Sequence, residues 1–242
     1  MSEMVPFRLL VSREEALKTV LDSVKQIERT EQIRIDESTG RVLAEDVTAD
    51  KDVPPFDRAA MDGYALRAVD TYGASDLNAR SLKLTAALHA GESTTASVSK
   101  GECIRIATGC QVPPNSDAVV MVEFTEEKDD QVLVLRPVHP GANISRRGED
   151  MKKGEAILRR EEVLTPAKIG VLAALGRKNV LVYQKPLVAA IPTGTEIAEV
   201  GSNLEEGQVY DVNSYTLASL LLANGAIITK SPIVPDSLER LK

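Results

Sequence analysis

The sequence predicts a multidomain α+β protein, and three observations carry that expectation. A capped, periodic apolar segment near the N-terminus reads as a helix; 48–141 breaks into short apolar runs separated by Gly, Pro, Asn, Ser and Asp; and 187–229 follows strand–helix–strand grammar. At 242 residues the chain has room for more than one compact unit, and 43% hydrophobic with 27% charged residues is the balance of a folded globular protein.

The opening helix starts at Ser12, which forms an S-x-x-E capping box with Glu15. Ala16, Leu17, Val20, Leu21, Val24 and Ile27 then recur on one face, leaving Glu14, Lys18, Asp22 and Lys25 to solvent. Ile33 and Ile35 alternate with charged residues, and 41–44 follows a Thr39-Gly40 turn, so short strands are expected here.

Within the β-rich stretch the expected strands are 82–86, 103–107, 118–123 and 132–136, with Asp129-Asp130 as a hairpin turn between the last two. Ahead of them lies 53–66, the most chemically specific stretch of the chain. Pro54 and Pro55 fix the backbone and remove donors, which excludes an interior strand, and Asp62-Gly63 is a turn that presents a carboxylate beside Tyr64. A solvated surface Asp explains that turn as well as a site residue does. The same holds for Thr108-Gly109, which follows Arg105-Ile106-Ala107.

Arg146-Arg147-Gly148-Glu149-Asp150 joins two guanidinium groups to two carboxylates. Arginine forks suit oxyanions and phosphates, but such a run can equally compensate its own charge at the surface. Thr165-Pro166 starts a second helix as N-cap and first helical residue, Ile169, Val171, Leu172 and Leu175 give it an apolar side, and Gly176 ends it. Strand-length runs follow at 179–183 and 187–191. The second leads through Pro192-Thr193-Gly194-Thr195-Glu196 and a polar loop to a leucine-rich helix capped by Asn213, carrying Leu217, Leu220, Leu221 and Leu222 and closed by Gly225; a strand at 226–229 comes next. Ligands of such units bind outside the carboxyl ends of the strands; Glu196 sits at one such end and Asp236 follows another. A parallel sheet needs cover on both faces, and two strands with one helix do not supply it, so this unit reads as cut short.

Charge and composition exclude several functions. A net charge of -7 and a pI near 5.1 disfavour nucleic acid and anionic membranes as partners, and 3% aromatic residues with no Trp give no base-stacking surface. No apolar run approaches the ~20 residues of a membrane span and the N-terminus lacks a signal-peptide core, so a cytoplasmic protein is expected. Cys103 and Cys110 read as buried reduced thiols, and His89 and His139 stand too far apart to suggest a metal set.

Five motifs stand in an order that carries a resemblance: Pro54-Pro-Phe-Asp-Arg-Ala-Ala-Met-Asp-Gly-Tyr-Ala65, Arg105-Ile-Ala-Thr-Gly109, Arg147-Gly-Glu-Asp150, Pro192-Thr-Gly-Thr-Glu196 and Tyr210-Asp-Val-Asn213. Across essentially its whole length the chain resembles the molybdopterin molybdenumtransferases, the MoeA family, which include the E domain of gephyrin. It departs from them at Thr195, where an Asp is usual. The resemblance implies an elongated mixed α/β linker domain (1–47 and 142–184), a small β-rich domain inserted into it (48–141), and the start of a molybdopterin-binding-like three-layer α/β domain (185–242). It implies insertion of molybdate into adenylylated molybdopterin, with Mg²⁺-dependent release of AMP. By family position Asp62, Thr108, Asp150, Glu196 and Asp236 are functional: Thr193, Gly194, Glu196 and Asp236 hold the molybdopterin substrate, and Glu196, Asp236 and Asp62 are the Mg²⁺ candidates, hard carboxylates suiting that ion. Arg146 or Arg147 is a further source of positive charge. A homodimer sharing its site between subunits is implied as well. The family's later ligand loops and C-terminal β domain are not in the sequence. This leaves a non-catalytic dimerisation or binding module, or one half of a split enzyme completed by a separate chain, as the alternative.

Overall fold

The computed structural model describes residues 11–92, 94–235 and 239. In chain order its longer elements are α1 (Arg13–Ser23), β1 (Thr30–Arg34), β2 (Gly63–Leu66), β3 (Arg80–Leu88), β4 (Glu102–Ile106), β5 (Ala118–Met121), β6 (Thr125–Lys128), β7 (Gln131–Val134), α2 (Pro166–Ala174), β8 (Asn179–Tyr183), β9 (Leu187–Ala190), α3 (Asn213–Ala223) and β10 (Ile227–Lys230). The chain is a mixed α/β protein, rich in sheet and poor in helix. The described residues form two compact units, one drawn from Met1–Glu45, Arg160–Ile169 and Lys178–Lys242, the other from Asp46–Arg159 and Gly170–Arg177.

The second of these is built on a six-stranded sheet in the order β5-β2-β4-β3-β7-β6, antiparallel except for the parallel pair β3 and β4. Side-chain alternation along the strands produces two apolar faces. Tyr64, Leu66, Leu82, Cys103, Val120, Val132 and Val134 form one cluster, and Ala65, Leu88, Val98, Ile104, Ile106, Cys110 and Val119 the other. Each fully buried Leu, Ile or Val contributes about 1.5–3 kcal/mol. The Tyr64 hydroxyl, on the second strand, donates to Glu127 Oε2 on the last at 2.5 Å, so the sheet must curl around the first cluster. Burial, with that hydrogen bond second, pushes the Tyr64 phenol up to about 12. Both cysteines are free and buried, one in each cluster, as expected.

All four expected strands of this stretch are present with shifted ends, and two strands of the sheet were not expected, β2 and β6: the 53–66 stretch was read as excluding an interior strand, yet Gly63–Leu66, beyond the two prolines and so free to donate, pairs with both β4 and β5. The 118–123 run stops at Met121, turns through a 3-10 segment at Val122–Phe124, and continues as β6. Its sequence, Thr-Glu-Glu-Lys, has no apolar alternation because β6 is an edge strand that buries almost nothing. The Asp129-Asp130 turn therefore joins β6 to β7, with Asp129 in the left-handed conformation that Asp tolerates.

In the other unit the α1 capping box forms as expected: Glu15 N donates to Ser12 Oγ, and Ser12 N to Glu15 Oε2. The helix ends at Ser23, short of Ile27, and none of its residues is buried; Leu17, Val20 and Leu21 are more than half exposed. β1 covers only Thr30–Arg34, because Ile35 turns into a 3-10 segment, and it pairs antiparallel with β8. Leu43, Leu164, Val180 and Val182 are buried in this unit. Arg41 donates from Nη2 to Glu31 Oε1 at 2.5 Å and to the Tyr183 carbonyl at 2.7 Å.

β9 and β10 pair in parallel, in register from Leu187↔Ile227 to Ala190↔Lys230, with α3 as the crossover packed on them. The strand–helix–strand reading therefore holds. The helix cap does not fall where expected, because Asn213 is already helical and Asp211 accepts the hydrogen bond from Ser214 N. Much of the leucine face is open: Leu217, Leu220 and Leu222 are 50–60% exposed. α2 starts after Thr165, whose Oγ1 receives Lys168 N, and ends at Gly176 in a left-handed turn, as expected.

Gly63 marks the tightest approach in the sheet, because a Cβ there would lie 1.9 Å from the Val120 carbonyl oxygen. Gly63→Ala is expected to separate β2 from β5 and cost roughly 1–3 kcal/mol or more. A drop in melting temperature measures this.

Candidate functional site

The loop ahead of β2 is fixed by two carboxylates that the sequence reading passed over. Asp52 accepts from Arg147 Nε at 2.6 Å and from Lys153 N at 2.8 Å. Asp57 accepts from Arg146 Nη1 at 2.7 Å and from Arg147 N at 2.8 Å. Between them Val53 N donates to Met151 O, Gly148 N to Pro54 O and Asp150 N to Val53 O. The Pro-Pro segment, which has few donors of its own, is thus stitched to 146–153 along its length. Charge-assisted bonds that also satisfy backbone donors are stronger and more directional than a bare surface ion pair. The Arg146 amide donates to Glu149 Oε2 at 2.9 Å, but the guanidinium groups of Arg146 and Arg147 pair with carboxylates some ninety residues earlier in the chain and not with Glu149 or Asp150. The bond from Lys153 N, then Arg147, holds the Asp52 carboxyl below its usual range, and the bonds from Arg147 N, then Arg146, do the same for Asp57.

At the far end of this loop the structure brings two expected site residues together. Asp62 Oδ1 accepts from both the amide and the hydroxyl of Thr108, each at 2.7 Å. The Asp62 carbonyl accepts from Val122 N. Thr108 is itself held in a turn: Gly109, at φ +85°, donates to Ala59 O, and Cys110 N to Ala107 O. The two bonds from Thr108, the backbone one foremost, keep the Asp62 carboxyl below its usual range, so it is ionised near neutrality. Its second oxygen accepts no hydrogen bond among the described residues. Asp150 lies in the same unit, 3.8 Å from Arg58 Nη2 and exposed, without a bond to Asp62.

Thr193, Gly194 and Glu196 belong to the other unit, past the carboxyl end of β9. Gly194 takes φ +144°, and a Cβ there would sit 2.9 Å from both Glu196 carboxylate oxygens and 2.8 Å from Ile197 Cγ1. The positive φ favours glycine there, and the Glu196 carboxylate folds back over it. Thr193 bridges in parallel to Val234, and Val209 N donates to the Glu196 carbonyl. Asp236 lies outside the described residues.

Among the described residues no group of three or more His, Cys, Asp or Glu is placed to hold a metal. Mg²⁺ commonly takes only one or two protein carboxylates and completes its shell with water and substrate phosphate. Exposed Glu196 and the bare oxygen of Asp62 fit that sparse role; they do not make a protein cage.

The family model described as the MoeA N-terminal region (domain I and II) matches residues 11–176. The chain is 39% identical over 236 residues to a Methanocaldococcus jannaschii protein named for molybdopterin biosynthesis, covering 94% of this chain and 56% of that one. It is 38% identical over 188 residues to a Staphylococcus aureus molybdopterin molybdenumtransferase, covering 78% and 45%. A crystal structure of a molybdopterin biosynthesis MoeA protein from Pyrococcus horikoshii superposes with a TM-score of 0.87 at 41% identity, covering 96% of this chain and 62% of that one. The chain spans about half the length of the curated relatives it matches.

The clasp at Asp52 and Asp57 makes stability pH-dependent. Both carboxyls are held below their unfolded-state value of about 3.9. Their stabilisation is complete above that value and is lost as pH falls through the lowered folded values. The Asp52→Asn/Asp57→Asn double variant is expected to melt lower at neutral pH and to lose less on acidification to about pH 3 than the parent. Parallel acid limbs in circular-dichroism melts would contradict this.

Proposed function

The chain belongs to the family defined by the N-terminal region of MoeA, and from that premise we propose that it serves the insertion of molybdate into adenylylated molybdopterin, with AMP as the leaving group. The observation that carries this reading is the Asp62–Thr108 pair. A carboxylate held ionised by an amide and a hydroxyl, with one oxygen bare, is an acceptor or a ligand rather than an acid. It suits the orientation of a hydroxylic or metal-bound oxygen, so Asp62 and Thr108 are assigned to the molybdate or the attacking oxygen. Asp150 belongs to the same half of the site.

Glu196 and Asp236 are assigned to the adenylate side, with Thr193 and Gly194 shaping the loop that meets the molybdopterin substrate. Mg²⁺ would be held by Glu196 and Asp236 with substrate oxygens, or by Asp62, and when bound it would offset the negative charge of the phosphoanhydride. With Thr195 in place of the usual Asp, this chain brings one carboxylate fewer to that task. The proposal includes the division into linker, inserted β-rich and α/β domains, and a homodimer in which the Asp62 loop of one subunit completes the Glu196 loop of the other.

A second reading, an assembly module or one half of a split enzyme, is favoured by a specific observation. β9 and β10 form a parallel pair whose Leu187 and Ile227, side by side in register, are 69% and 52% exposed, whereas parallel sheets bury both faces.

AMP release from adenylylated molybdopterin with molybdate and Mg²⁺ separates these readings. The expected result is release that Asp62→Ala lowers by about 100-fold or more with little change in melting temperature. Equal losses of turnover and melting temperature make Asp62 structural. Saturable turnover by the 242-residue chain alone removes the module reading, and no turnover by a protein spanning the full length of the relatives overturns the enzymatic one.

A further inference from the structure

The Asp62–Thr108 pair places a negative charge where the proposed function needs an oxyanion, and an ionised carboxylate repels an oxyanion unless a cation lies close by. Among the described residues, the site loop and the 146–153 segment that clasps it carry three arginines. Arg146 and Arg147 commit their guanidinium groups to Asp57 and Asp52, at 2.7 and 2.6 Å. Arg58 does not make such a bond. Its Nη2 lies 3.8 Å from Asp150 Oδ2, beyond hydrogen-bond length, its side chain is 43% exposed, and its guanidinium donates no hydrogen bond among the described residues.

The main chain beneath that side chain is nevertheless fixed on both edges. Arg58 pairs antiparallel with Ser145 on one side and bridges to Gln111 on the other. Before it, Asp57 is held through its carboxylate by Arg146 and Arg147, and its carbonyl accepts from Val112 N. After it, Ala59 is buried, donates to Cys110 O and accepts from Gly109 N. The segment 58–62 therefore runs beside the 108–111 turn, tied to it at one end through Arg58 and Gln111 and at the other through Asp62 and Thr108. Four residue steps put the Arg58 and Asp62 Cα atoms at most about 14 Å apart, a gap that a long arginine side chain and an oxyanion between them can close. Ala60, midway and exposed, fills that space with no more than a methyl group.

We propose that Arg58 is the oxyanion-binding residue of this half of the site, its fork of N–H donors holding molybdate beside the Asp62–Thr108 pair. Two features select a small tetrahedral oxyanion. A guanidinium with unspent donors calls for an acceptor that presents paired oxygens. The surroundings are exposed and charged, which suits a compact inorganic anion and not a larger organic one that needs an apolar wall. Asp150, too distant to bond, keeps the guanidinium turned toward the loop and gives way to an anion that accepts directly. The assignment deepens the proposed function and rests on it for the identity of the anion, since the phosphates of adenylylated molybdopterin offer the same tetrahedral geometry.

Equilibrium dialysis of the 242-residue chain against molybdate in one arm and inorganic phosphate in the other distinguishes the two sources. The expected result is saturable molybdate binding that Arg58→Gln weakens at least about tenfold, the loss of charge-assisted hydrogen bonds. Arg58→Lys keeps the charge without the fork and should recover part of the affinity, so the outcome remains readable if Arg58→Gln does not fold. Both variants should melt close to the parent, because the bonds that fix this segment come from the main chain; a structural role would lower the melting temperature and leave the affinity of the folded protein unchanged. No saturable molybdate binding, molybdate affinity indifferent to Arg58→Gln, or tighter binding of phosphate than of molybdate overturns the proposal. Binding involves no turnover: Arg58-dependent molybdate binding with no AMP release by a protein spanning the full length of the relatives refutes the reaction and keeps the anion site. AMP release whose molybdate KM is unchanged by Arg58→Gln refutes only the anion site.

Discussion

The pair of carboxylates at Asp52 and Asp57 is the constraint on which the site loop depends. A segment with two prolines and few amide donors has little means of fixing its own path, and without external bonds it would sample many conformations. Here Arg146, Arg147 and the amides of 147 and 153 converge on those two side chains, while main-chain bonds from 148, 150 and 151 join the same stretch. The result is a rigid approach to β2, at whose first residue Gly63 admits no side chain. Asp62 is therefore delivered to Thr108 by a backbone fixed on both sides.

Behind the loop, the curled sheet sets the other half of that geometry. Tyr64 spans the interior to Glu127, and Arg105 approaches the same carboxylate at 3.6 Å, so β2, β4 and β6 are tied by one polar cluster at the edge of an apolar core. Burial, and secondarily the nearby Glu127 charge, pushes the Cys103 thiol up to about 12, which leaves it an inert core residue. The proposed site residues thus lie on turns at strand ends, and the strands beneath them carry packing. Stability and chemistry are assigned to neighbouring residues of the same motifs: Asp62 is exposed, Gly63 and Tyr64 are buried, and Ile106 is buried two residues before exposed Thr108.

Much of this was legible in the sequence wherever the signal is local. The Ser12–Glu15 box, the Asp129-Asp130 turn, the Thr165–Gly176 helix and the 187–229 strand–helix–strand unit each rest on neighbours within a few residues, and each is present. Local patterns fail where a residue's partner is distant. β6 has no apolar period because it lies at a sheet edge. Asn213 looks like a cap, yet the helix begins one residue earlier than its composition suggests: Val212 takes the cap position and the Asp211 side chain receives Ser214 N. Arg146 and Arg147 carry two equally good readings in sequence, and neither describes them.

The sequence by itself determined most of the element types and turn positions, the buried state of both cysteines and, through five ordered motifs, the family. These properties follow from side-chain size, backbone restriction and periodicity, which act over short stretches of chain. Only the tertiary structure decided that Asp62 is joined to Thr108, that the arginine pair is bound to Asp52 and Asp57, and that Arg58 stands beside Asp150. Each of those facts is a meeting of groups far apart in sequence or hidden by a fold. An ion pair or a hydrogen bond depends on distance to a tenth of a nanometre, which no residue pattern specifies until the chain has folded.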